Sequence, residues 1–240
     1  VMITNLISLP TRPVQAICAF LLSALTLGAA FGQDLDPTRF EATIERFEAM
    51  DAQSMPPEGA IVLTGSSSIA LWNRKAAEAL APLTVIPRGF GGSVMGDVLH
   101  YLDRVALVYK PRAILIYEGD NDTAFGLDLD LVESQLMEII ERVDAELPDT
   151  RIYLLSVKPS VARLAYWDQA QALTARYQAI ADANPKVFTI DVVSPFMDEN
   201  GTVMRDIFIS DNLHLNDKGN EIWGRAIKAG LMPVEAPFEH

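Results

Sequence analysis

Cysteine, histidine and positive charge are all scarce in this chain, and each scarcity removes a class of explanation. The 240 residues include one cysteine, Cys18, which lies inside an apolar run near the N-terminus. The rest of the chain has no thiol to pair, so no disulfide framework holds the fold and stability must come from a buried core. Half of the residues are hydrophobic, and the length is sufficient to bury such a core as one domain. Lys and Arg number 19 against 32 Asp and Glu, a formal net charge of −13. A polyanion-binding protein needs a basic face, so nucleic acid is excluded as a partner. Histidine occurs three times. His100 sits in a helical pattern and His240 is the last residue, which leaves His214, in Ser210-Asp211-Asn212-Leu213-His214-Leu215-Asn216, as the imidazole available for general-base chemistry.

The first residues differ from the rest. Residues 1–32 carry one charge, Arg12, followed by an apolar stretch over 14–30 broken only by Gln15, Ser23 and Thr26. Small residues close it at Gly28-Ala29-Ala30-Phe31-Gly32. A basic start, an apolar centre and a small-residue end predict a signal peptide over 1–32, cleaved after Ala30 or Gly32. The alternative is an uncleaved anchor, for which the apolar stretch is short. Cleavage leaves 33–240 as a single domain with no membrane attachment, 18 Lys and Arg, 32 Asp and Glu, and a net charge of −14. A secreted or periplasmic location follows from this expectation.

Beyond it, short apolar runs alternate with helical patterns. Residues 60–64 read as a buried strand ending at Gly65, 66–80 as a helix, and 84–86 as a strand that leads into Gly89-Phe90-Gly91-Gly92. A helix is expected over 94–109, a strand over 113–117, a helix over 129–147 and a strand over 151–157. A helix over 164–183, a strand over 187–192 and a closing helix over 218–231 complete the chain. Phe40, Ile44, Phe47 and Met50 recur at helical spacing before the first strand. Nearly continuous apolar strands separated by helices predict a parallel sheet covered on both faces, an α/β doubly wound three-layer fold.

In such a sheet, sites form beyond the carboxyl ends of the strands. Gly65-Ser66-Ser67-Ser68 puts three hydroxyls at a helix start, where serine is commonly an N-cap and, more sharply read, a nucleophile beside stabilising amide groups. Gly89-Phe90-Gly91-Gly92-Ser93 lets the backbone approach a ligand closely, but Val94 breaks a dinucleotide-binding pattern. In Gly119-Asp120-Asn121-Asp122, Ala124 and Phe125 stand where a calcium loop needs a ligand and a glycine. No metal or other cofactor is expected. Taken together, a serine, a glycine turn, an asparagine and Asp-x-x-His supply the parts of an acyl-transfer site. Ser67 is the candidate nucleophile, His214 the base and Asp211 its orienting carboxylate. The amides of Ser67 and Gly92 and the side chain of Asn121 form the candidate oxyanion hole.

These blocks, Gly65-Ser66-Ser67, Gly89-x-x-Gly92, Gly119-Asp120-Asn121 and Asp211-x-x-His214, resemble the SGNH hydrolases, also called GDSL esterases and lipases. The resemblance runs from about residue 60 to 231. The second and third blocks look like a bacterial branch related to the catalytic subunits of platelet-activating-factor acetylhydrolase. It implies a flavodoxin-like α/β/α sandwich with a five-stranded parallel sheet in the order 2-1-3-4-5, and hydrolysis of a small-molecule acyl ester. Two residues depart from the pattern. Ser66 replaces the family's Asp, so alignment on the glycine selects Ser67 as nucleophile with Ser66 next, and Pro87 replaces a usual asparagine. Phe90, Phe125, Trp167 and Phe208 are candidates to line a pocket. Two other readings stay open: a non-catalytic flavodoxin-like module binding a glycan or anion, and an acyltransferase using the same triad.

Overall fold

The computed structural model describes residues 35–239, so the expected signal segment lies outside the described residues. Five strands, β1 (Ile61–Gly65), β2 (Val85–Gly89), β3 (Ala113–Tyr117), β4 (Arg151–Leu155) and β5 (Val187–Ile190), form one sheet in the order 2-1-3-4-5. Every pairing is parallel. The order is the doubly wound one, and the helices cover both faces, as the alternation of strand and helix patterns predicts.

Side-chain alternation along the strands divides the core. Val62, Ile114, Ile116, Ile152 and Leu154 face one apolar layer with helices α1 (Glu41–Gln53), α4 (Met95–His100), α5 (Leu102–Val105), α7 (Leu129–Glu146) and α8 (Trp167–Ala183). Ile61, Leu63, Leu115, Tyr117, Tyr153 and Leu155 face the other, with α2 (Ser67–Ala70), α3 (Ala76–Leu80) and α9 (Asp217–Glu235). The remaining short helix, α6 (Asp120–Ala124), sits at the sheet end. Each buried Leu or Ile contributes roughly 1.5–3 kcal/mol, so the two layers hold the fold without a staple.

Two expected helices are broken. The 66–80 segment is α2, a turn and α3, because Trp72 turns into the core and Asn73 leaves the helix to bond β2 at both its ends: its Oδ1 accepts from the amide of Gly89 and its Nδ2 donates to the Gly89 carbonyl. The 94–109 segment is α4, α5 and a 3-10 turn (Leu107–Tyr109). Met50, placed on the buried stripe of α1 by its spacing, is 59% exposed, because α1 buries Ile44 and ends shortly after Met50. Helix α9 runs past the expected end to Glu235, with Pro233 inside its last turn.

Candidate active site

The register brings three strand ends to one level, since Gly65 lies opposite both Gly89 and Tyr117. Gly65 is required there. Its φ is +121°, and a Cβ would meet the Tyr117 carbonyl oxygen at 2.2 Å. The chain then leaves β1 through Ser66, whose amide donates to that same carbonyl at 3.0 Å, and enters α2 at Ser67. Ser66 occupies the N-cap position of α2 but forms no capping bond with its side chain. It is 1% exposed and its Oγ accepts from Asn121 Nδ2 at 2.7 Å. Ser67 is half-buried and faces the glycine turn, with a Cβ on Gly91 lying 3.6 Å from its Cα and Cβ. Gly92 has φ +93°, a left-handed conformation that lets the turn fold back before Ser93.

Asn121 is in the first turn of α6 and is gripped on both sides of its amide. Nδ2 donates to Ser66 Oγ and, at 3.0 Å, to the Ser93 carbonyl. Oδ1 accepts from Arg163 Nη2 at 3.3 Å. Both Nδ2 hydrogens are therefore engaged within the protein. Beneath the amide, Ser93 Oγ donates to Glu118 Oε1, while Glu118 Oε2 has no hydrogen-bond partner among the described residues. Burial, reinforced by the charge of Asp122, pushes the Glu118 carboxyl well above the usual range. Asp122 takes the amides of Met95 and Gly119 at 2.9 and 2.8 Å. Burial outweighs those bonds and moves its pKa up to about 6. Asp97 also rises to about 6, for the same reason.

The fourth block is a loop ahead of α9. Asp211 Oδ2 meets His214 Nδ1 at 2.6 Å, and Asp211 Oδ1 accepts from the amides of Leu213 and His214, both at 2.9 Å. The loop closes through Asn212 at φ +57° and through the Ile209 amide, which donates to the His214 carbonyl at 2.8 Å. Partial burial works against the Asp211 charge, yet the bonds from the His214 ring and from the two amides prevail and lower its pKa to about 2. Among the described residues no hydrogen bond joins Ser67 Oγ to His214. Such bonds are often long in unliganded enzymes and tighten when substrate arrives.

Two cations that the sequence patterns do not single out knit the site together. Lys158, 2% exposed, donates to the Leu213 carbonyl at 3.1 Å and to Asp120 Oδ2 at 3.3 Å. Arg163, in the 3-10 turn Val161–Tyr166, reaches Asn121, and its Nε lies 3.8 Å from Asp120 Oδ1. The neighbouring Ala162 amide donates to the Asn212 carbonyl at 3.1 Å. The connection from β4 to α8 thus touches both the Asn121 side and the His214 side. Its one signal in the sequence is a lysine just past a strand end.

Of the aromatic candidates, Phe90 is core, edge-on to Phe40 and Tyr101 at 5.2 and 6.2 Å. Phe208 is also buried, Trp167 packs against the core, and Phe125 is 40% exposed. Among the described residues no group of three or more acidic or histidine side chains is arranged to hold a metal ion.

Comparison with known proteins agrees with this fold. The model of the GDSL-like lipase/acylhydrolase family matches residues 29–222. Among solved structures, the chain is similar to a protein of Streptococcus pneumonia named for platelet activating factor, with 24% identity and a TM-score of 0.69 over 79% of this chain and 91% of that one. A GDSL-like lipase of Bacteroides thetaiotaomicron is 21% identical, with a TM-score of 0.69 over 80% and 98%. An acetyl xylan esterase of Geobacillus stearothermophilus is 15% identical, with a TM-score of 0.59 over 72% and 96%. These likenesses establish a shared fold. No curated protein matches the chain. A match over most of the chain, on a sheet in the order 2-1-3-4-5, makes this protein a member of the GDSL-like lipase/acylhydrolase family.

Proposed function

We propose that the protein is an exported serine esterase that hydrolyses small acyl esters through an acyl-serine intermediate. The observation that supports this reading is the Asp211–His214 pair at 2.6 Å, in a loop that Lys158 ties to Asp120, next to the Asn121 that bonds Ser66. With Nδ1 donating its proton to Asp211, His214 keeps Nε2 free as a base. Ser67 Oγ attacks the ester carbonyl carbon as its proton passes to Nε2, and the carbonyl π pair becomes an oxyanion. The amides of Ser67 and Gly92 and Asn121 Nδ2 stabilise that charge. Collapse breaks the bond to the alcohol oxygen, which takes the proton from His214. Water then repeats the sequence on the acyl-serine, releasing the acid and returning the proton to Ser67.

Ser67 is favoured over Ser66 because Ser66 Oγ is buried and already engaged by Asn121, whereas Ser67 is half-buried beside the glycine turn. Export rests on the composition of residues 1–32, and among the described residues no helix is long and apolar enough to cross a membrane. The test is hydrolysis of p-nitrophenyl acetate, butyrate and octanoate, with fluorophosphonate labelling and peptide mapping. Turnover that is abolished in Ser67→Ala and retained in Ser66→Ala is the expected result. A wild-type protein that neither turns over nor labels sinks the esterase reading and leaves a binding module. The mass of the protein recovered outside the cytoplasm reports whether the N-terminal segment is removed.

A further inference from the structure

We propose that Arg163 is a positioning residue for the oxyanion-binding amide of Asn121, an inference that rests on the esterase reading above. A carboxamide has nearly the same shape when its oxygen and nitrogen exchange places, so only its partners decide which end faces the reacting group. Ser66 Oγ, which both donates and accepts, does not discriminate between the two orientations. The Ser93 carbonyl accepts only, and Arg163 donates only. With Nδ2 toward Ser66 and Ser93, every contact pairs a donor with an acceptor. Turned over, the amide would set Nδ2 against a guanidinium and Oδ1 against a carbonyl oxygen, and the oxyanion would meet an acceptor.

The cation also acts through the amide. A positive charge on Oδ1 draws electron density from nitrogen and strengthens the Nδ2 hydrogens as donors, as in any polarised hydrogen-bond chain. That help grows as negative charge develops at the far end, so it belongs to the transition state more than to the bound ester. The turn holding Arg163 is fixed by the Ala162 amide on the Asn212 carbonyl and by Asp120, 3.8 Å from Nε. The guanidinium is therefore placed before substrate arrives.

The experiment is a double-mutant cycle on p-nitrophenyl acetate hydrolysis with Arg163→Met and Asn121→Ala, alongside Arg163→Lys. Arg163→Met lowers kcat about 10-fold, the scale of a charge-assisted hydrogen bond, with KM within about 2-fold, and added guanidinium ion restores part of the loss. Arg163→Lys falls between Met and wild type. In the Asn121→Ala background, Arg163→Met costs nothing further, because its route of action is gone. Losses that multiply, a change confined to KM, or an unchanged kcat overturn the inference. If the Met variant melts well below wild type, Arg163→Lys carries the same comparison. Wild type that is inactive and unlabelled at Ser67 overturns the esterase reading and this inference with it, whereas active, labelled wild type with an indifferent Arg163 overturns this inference alone.

Discussion

The two ends of the sheet treat their buried charges in opposite ways. At the amino ends of the strands, Glu235 is fully buried and takes four bonds: from Arg151 Nε and Nη2 at 2.6 and 2.9 Å, Arg112 Nε at 3.0 Å and Tyr153 Oη at 2.6 Å. Burial opposes its charge, but the Arg151 and Tyr153 bonds prevail and hold the carboxyl below its usual range. Glu239, bonded to Thr84 and Arg112, is held low in the same way. At the carboxyl ends, Glu118 keeps one oxygen unpartnered, and Ser160 Oγ and Arg163 Nε have no hydrogen-bond partner among the described residues. One end spends its polar groups on closing the fold and clamping α9 to the sheet. The other leaves donors and acceptors short of partners around Asn121, whose neighbours include Arg163 and Ser93.

That contrast breaks or sharpens under mutation. The largest effect is on chemistry: Ser67→Ala lowers kcat/KM for a p-nitrophenyl ester by ~10^4-fold or more with the fold intact. Asn121→Ala, which removes the proposed oxyanion donor, lowers kcat by ~10^2–10^3-fold. At the opposite end, Glu235→Ala leaves two arginines without their buried carboxylate. It costs ~3–5 kcal/mol in urea unfolding, with activity per folded molecule unchanged. A similar loss of activity in that variant would show that the ends are not separate.

The pH dependence of stability separates the ends by sign. Asp97 and Asp122, raised to about 6 from 3.8 by burial, bind protons in the folded state that the unfolded chain has released. Stability therefore falls as pH rises from about 4 to about 6 on their account. Glu235 and Glu239, lowered from 4.5, contribute stability above that value and lose it as pH falls through their folded values. The urea midpoint is expected to be higher at pH 5 than at pH 7.5 and to drop again below pH 4. Asp97→Asn should flatten the upper slope. The smallest effect is Glu118→Gln, which keeps the side chain's shape while removing a carboxyl that burial pushes above its usual range, and shifts stability at pH 7 by ~1 kcal/mol or less.

Much of this was legible because the relevant signals are local. Each strand contains a short apolar run, and each was expected within a few residues of where it lies, though β2 runs on through Pro87 and Arg88 to Gly89. Asp211 and His214 stand three apart and meet within one loop. The signals that failed are those set by distant contacts. Helix 66–80 is interrupted because Asn73 answers to β2, and 94–109 is divided into three short pieces. Arg163 and Lys158 gain their meaning from Asn121 and Leu213, far away in the chain, and no spacing rule reaches them. Ser66 was read as a cap or a nucleophile. Its hydroxyl accepts from the amide of Asn121, a contact visible only once β1 and α6 are side by side.

Order along the chain carries a last consequence. All five strands are complete by Ile190, and Ser67 and Asn121 precede that point, whereas Asp211 and His214 follow it. During synthesis or translocation the hydroxyl emerges long before the imidazole that would deprotonate it. A partly made chain thus bears an ordinary alcohol. Under the proposed mechanism, the base joins the hydroxyl only after every strand of the sheet that carries Ser67 has been made.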